Sequence, residues 1–191
     1  MKKLLFPFLS ILLLSCQPSS RPANTNAMGF QLDTVQTSDI NPICEVKYIP
    51  LELTDNSLIG KIDKMLFRNN YFYILDKSAN IGVFVFNENG KFIKVLNRTG
   101  EGPGEYIAPI DFDVDAEGNI YIADNVRQKI IKYDANDFRQ YEEIDLKCYF
   151  MEFAIIDKEY IVLSEIYDQG KIRDKLATYS RKDKKIQSLL H

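Results

Sequence analysis

The chain has no tryptophan, one histidine and three cysteines in 191 residues, and only nine glycines and seven prolines. The single histidine is His191, which places histidine-based catalysis and histidine metal ligation outside these residues. No Cys-x-x-Cys pair occurs, so the common zinc and dithiol arrangements are absent as well. No apolar run approaches the ~20 residues that a membrane-spanning helix needs. A basic excess is also missing: 24 Lys and Arg against 27 Asp and Glu leave a net charge of −3, which argues against nucleic acid as the main partner. Global disorder is excluded, because 46% hydrophobic and 12% aromatic residues suffice for one packed core.

The first fifteen residues differ from the rest. Lys2 and Lys3 precede an apolar run from Leu4 to Leu14, which as a helix would be ~16 Å long, about half a bilayer core. Leu13-Leu14-Ser15-Cys16 follows directly and resembles the lipobox of bacterial lipoproteins. That resemblance implies lipidation of Cys16, cleavage before it, and a membrane partner through the lipid; an ordinary secretory peptide is the alternative. Loss of residues 1–15 removes two lysines and no acid, giving a mature charge of −5. Gln17-Pro18-Ser19-Ser20-Arg21-Pro22 carries no acidic cluster of the kind seen in surface-exported lipoproteins. The periplasm-facing side of the outer membrane is therefore expected, with the cell surface as the alternative. Residues 16–38 read as the lipidated cysteine and a flexible tether, and Asp33-Thr34-Val35 resembles a short O-glycosylation acceptor. Cys44 and Cys148 both sit in apolar stretches and read as buried free thiols, with a disulfide as the alternative.

From residue 39 onward the pattern is all-β. Tyr71–Leu75, Asn119–Ala123 and Tyr160–Leu163 are rich in β-branched and aromatic residues, and Asn89-Gly90 and Glu117-Gly118 supply turns. The segments recur. Ile62-Asp63 and Ile110-Asp111 are 48 residues apart, as are Tyr73 and Tyr121, and Asp76 and Asp124. Phe86-Asn87, Tyr133-Asp134 and Tyr179-Ser180 end equivalent strands, and Ser164 stands in place of Asp124 in the third copy. A period of 46–48 residues with four strands per unit predicts β-propeller blades, because one twisted sheet cannot bury both faces alone.

The block from Asp115 to Asp124, with Gln128 to Asp134, resembles an NHL-type repeat. Together with Thr99–Tyr106, Tyr48–Glu52 and Leu58–Ile62, it is similar to the six-bladed, TolB-like β-propeller lipoproteins of gut anaerobes. This resemblance implies a ring of six antiparallel four-stranded blades. Ile59 to His191 accommodates about three of them, so residues 39–191 are expected to be the N-terminal half of a ring. The missing blades would come from a longer chain or from a second copy.

Three groups of side chains are candidate sites. Asp63, Asp111 and Glu152 start the inner strands and read either as an acidic ring at a channel mouth or as acceptors of backbone N–H bonds. Arg98, Glu101, Glu105, Tyr106 and Arg127 fall in connections expected on one face, where they would bind a ligand or simply be solvated; Asp111 belongs to this candidate set too. Gly100–Glu105 lacks the lysine and spacing of a phosphate loop and reads as an inter-blade crossing built around Pro103. Asp111, Asp113 and Asp115 with Gly118 depart from calcium-loop spacing, and strand alternation holds Asp111 and Asp115 ~13 Å apart. No catalytic residue, metal ligand or cofactor is assigned. The expected function is a membrane-tethered, non-catalytic binding propeller recognising a protein, peptide or glycan. The alternative is a divalent-metal-dependent enzyme of the lactonase or lyase type.

Overall fold

The computed structural model describes residues 46–191. The expected signal peptide (1–15), Cys16, the tether (16–38), Asp33-Thr34-Val35 and Cys44 lie outside the described residues. Residues Lys47–His191 form one compact unit.

Twelve strands and no helix occur among the described residues. They make three four-stranded antiparallel sheets in sequence order. The first contains β1 (Lys64–Arg68), β2 (Tyr71–Asp76), β3 (Gly82–Asn87) and β4 (Phe92–Leu96). The second contains β5 (Pro109–Val114), β6 (Ile120–Asp124), β7 (Lys129–Tyr133) and β8 (Tyr141–Asp145). The third contains β9 (Glu152–Ile155), β10 (Tyr160–Asp168), β11 (Lys171–Ser180) and β12 (Lys185–Leu190). Local chemistry explains the hairpins. Asn69 and Asn70 adopt φ of 52° and 63°, the left-handed pair that a two-residue turn between β1 and β2 requires. At the β5–β6 turn Gly118 has φ 85°, while the Asp115 carboxylate accepts the backbone N–H groups of Glu117 and Asn119 and the hydroxyl of Tyr121.

The sheets stack face to face. Tyr73, Leu75, Val83, Val85 and Leu96 of the first pack against Phe112, Val114, Ile120, Ile122, Ile131 and Tyr133 of the second. Tyr121, Ala123, Ile130 and Ile144 on the opposite face of the second meet Phe153, Ile161, Leu163 and Ala177 of the third. Strand alternation makes this arrangement work, since β6 sends Ile120 and Ile122 to one neighbour and Tyr121 and Ala123 to the other. The middle sheet is thus apolar on both faces, as a sandwiched layer must be. β1 lies beside β5 and β5 beside β9, so the first strands share one edge of the stack. The expected four-stranded unit occurs three times, and no ring closed upon itself is formed among the described residues.

Candidate functional site

The shared edge carries the polar groups. Asp111, whose side chain is only 5% exposed, takes the Lys64 ammonium at 2.7 Å on one carboxylate oxygen and the Phe153 N–H at 3.1 Å on the other. Asp113 accepts from Ile155 N at 2.7 Å and from its neighbour Val114 N at 2.8 Å, with the Arg68 guanidinium 3.8 Å away. One strand of the middle sheet therefore grips a cation of β1 and the free edge of β9. Such charge-assisted bonds leave neither of these two buried carboxylates without a partner.

Asp63, Asp111 and Glu152, the three expected edge acids, line a single cavity of about 540 Å³ together with Lys64, Lys77 and Glu165. Asp63 accepts from the Lys61 ammonium at 2.6 Å and from Lys77 N at 2.8 Å. Those two bonds hold its carboxyl below the usual range. The Lys77 ammonium donates to the Ile110 carbonyl at 3.2 Å. Glu152 forms no ion pair among the described residues, and neither does Glu165, whose carboxylate accepts only the Tyr167 hydroxyl at 3.2 Å. Glu165 also has φ 47° inside a strand, a costly conformation for a non-glycine residue. The cavity thus combines two anchored carboxylates with two uncompensated ones. It offers acceptors to a ligand rich in N–H or O–H donors. Sequence reasoning missed Lys77 and Glu165, because neither shares a repeat position with the acids it joins.

The loop candidates are placed differently. Tyr106 is fully buried; its hydroxyl donates to the Leu96 carbonyl at 3.1 Å, and burial pushes its pKa up to about 12. Arg127 donates to the carbonyls of Gly102 and Glu105 at 3.1 and 3.2 Å. Glu105 accepts the Gly102 N–H at 2.9 Å, closing its own turn. Arg98 donates from one Nη to the Phe138 carbonyl at 3.4 Å. Glu101 alone of this set is exposed. Pro103 lies in the crossing from β4 to β5. Arg98, Glu105, Tyr106 and Arg127 fasten that crossing, and none of the five loop candidates converges with the edge acids.

Cys148 is buried and free, and burial raises its thiol pKa. Near the C-terminus His191 Nδ1 meets Asp174 at 2.9 Å and Ser188 Oγ at 3.3 Å. A nucleophilic relay needs its acid and its serine on opposite ring nitrogens; here both approach the same one. Among the described residues no group of three His, Cys, Asp or Glu side chains is disposed to hold a metal ion.

A family model matches residues 27–191. The chain belongs to the family described as a domain of unknown function, DUF4934. No curated protein matches it. Among solved structures, it is similar to a "putative exported protein" from Bacteroides fragilis NCTC 9343, at 24% identity and a TM-score of 0.70. The match covers 82% of this chain and 45% of that one, so the chain spans less than half of that protein. The likeness is one of fold.

These findings correct the expected family. The chain belongs to DUF4934 rather than to the six-bladed, NHL-type or TolB-like propeller lipoproteins, and its sheets are three separate four-stranded units. The reason lies in local chemistry. The block Asp115–Asp124 encodes a hairpin with a carboxylate-bonded turn at one end and a carboxylate-capped loop at the other. That chemistry serves any stacked antiparallel sheet and identifies no family.

Proposed function

We propose that this chain is a non-catalytic binding module of the bacterial envelope that takes a polar segment of a glycan or peptide at the shared sheet edge. The observation that carries this reading is the convergence of Asp63, Asp111 and Glu152 on one cavity, with Glu152 and Glu165 left free to accept hydrogen bonds. The loop residues Arg98, Glu105, Tyr106 and Arg127 hold the crossing into β5 in place and stand apart from the bound ligand, as does the exposed Glu101. The finer arrangement belongs to the same proposal: the three sheets stand as propeller blades around an axis lined by β1, β5 and β9. Further blades are supplied by a longer chain or a second copy. Two observations support this arrangement: the adjacency of first strands, and the length of the similar Bacteroides fragilis protein. Its description as exported, together with the Cys16 motif, supports lipid anchoring in the outer membrane.

The test is a glycan and peptide array probed with labelled full chain and with the Glu152→Gln/Glu165→Gln variant. The expected result is a class of donor-rich ligands bound by the wild type and at least tenfold weaker with the variant. Ligands held equally by both proteins would place binding elsewhere.

A further inference from the structure

The two crossings between sheets differ in length. Residues 97–108 join β4 to β5, twelve residues, whereas residues 146–151 join β8 to β9, six residues. The longer crossing lays a glycine-rich flap over the outer strands of the second sheet. There the Tyr133 hydroxyl donates to the Gly104 carbonyl at 3.1 Å, Gly104 N donates to Glu143 at 2.8 Å, and the Tyr141 ring lies against Gly104. Gly104 has φ 65°, and a Cβ there would collide with that ring.

The shorter crossing has no such flap, and a cavity of about 800 Å³ remains in its place. The repeat makes the correspondence residue by residue. Tyr179 stands where Tyr133 does, and its register partner Ile186 stands where Tyr141 does. Both line the cavity, and among the described residues the Tyr179 hydroxyl has no hydrogen-bond partner. The lining differs in charge from the rest of the chain. Lys147, Lys184 and Lys185 form no ion pair among the described residues, and Arg173, set on a bulge of β11, is paired with the buried Asp174 at 2.6 Å. Asp145 is the other acid in the wall. The cations therefore outnumber the acids in a protein whose net charge is −3.

We infer that this outer groove, between β8 and β11–β12, is a binding site for a short extended acidic peptide that occupies the place the flap fills one sheet earlier. A backbone carbonyl of the peptide accepts from Tyr179, a small residue lies on Ile186, and its carboxylates face Lys147 and Lys185. The volume lies within the range of formed ligand sites. The flap one sheet earlier shows that an extended glycine-rich backbone fits against the tyrosine hydroxyl and the neighbouring outer strand. The cations of the wall call for acidic side chains on the segment that fills this groove. This site is separate from the edge cavity and stands or falls independently of it.

The test uses a fluorescein-labelled octapeptide with the sequence of residues 99–106 (TGEGPGEY) and a version with both glutamates replaced by lysine. Anisotropy with the full chain is expected to show saturable binding of the acidic peptide, at least tenfold weaker for the lysine version. The Lys147→Glu/Lys185→Glu variant, altered only at exposed side chains, is expected to lose binding by a similar factor while its thermal unfolding is unchanged. Tyr179→Phe is expected to weaken binding severalfold. Equal binding of both peptides, no saturable binding, or displacement by free glutamate as effective as by peptide would overturn the inference.

Discussion

At the scale of single residues, buried carboxylates organise the connections. Asp76 is fully buried and accepts from the backbone N–H groups of Gly60, Lys61, Ser78 and Ala79 and from the Ser78 hydroxyl. Burial alone would raise its pKa, but these donors outweigh burial and hold the carboxyl far below its usual 3.8. A depressed native pKa means stability that is complete above the unfolded value and is lost as pH falls through the native one. Asp76→Asn is therefore expected to cost about 1–3 kcal/mol in urea unfolding at pH 7 and to flatten the loss of stability below pH ~4. An unchanged acid profile would contradict the role given to this group. Asp124 caps the equivalent loop one sheet later, accepting hydrogen bonds from the backbone N–H groups of Ile107, Val126 and Arg127. The pair was legible in the sequence as a 48-residue repeat. Its role was not, because the donors include loop residues up to 17 positions away, which no spacing rule names. The same limit hid the burial of Tyr106, since a tyrosine beside glycines reads equally as a plug or as a ligand contact.

At the scale of elements, alternation carried most of the fold. The apolar, β-branched runs of β2, β6 and β10 and the turns at Gly90 and Gly118 are visible as period-two patterns punctuated by glycine. Ile122 is fully buried between the first two sheets, while Lys132 stands partly exposed over the Tyr121 ring with its ammonium 3.9 Å from Asp115. Ile122→Asp is expected to cost several kcal/mol, as an unpaired charge in an apolar layer. Lys132→Asp should cost about 1 kcal/mol, through a lost exposed contact and a like charge near Asp115. Comparable losses in thermal unfolding would contradict the two-faced middle sheet. The unequal crossings were less legible. Their lengths are apparent only once the strand ends are fixed, and the consequence, one groove filled and one open, depends on how Gly104 meets Tyr141.

At the scale of the whole molecule, three sheets share two apolar interfaces and one polar edge. Stacking accounts for the doubly apolar strands, and the gathering of Asp63, Asp111 and Glu152 follows from the adjacency of β1, β5 and β9. The acids were legible as a repeat, while the free pair, Glu152 and Glu165, was not, because Glu165 enters through a left-handed residue within β10. The anchoring proposal predicts that Cys16→Ala leaves the membrane fraction for the soluble one; retention equal to wild type would contradict it. The claim that the shared edge is the binding site is tested most directly by hydrogen–deuterium exchange of the full chain, with and without the strongest array ligand. The account predicts added protection in peptides spanning residues 77, 110–111, 151–153 and 164–165. Protection confined to residues 97–106, or to the outer strands, would contradict it.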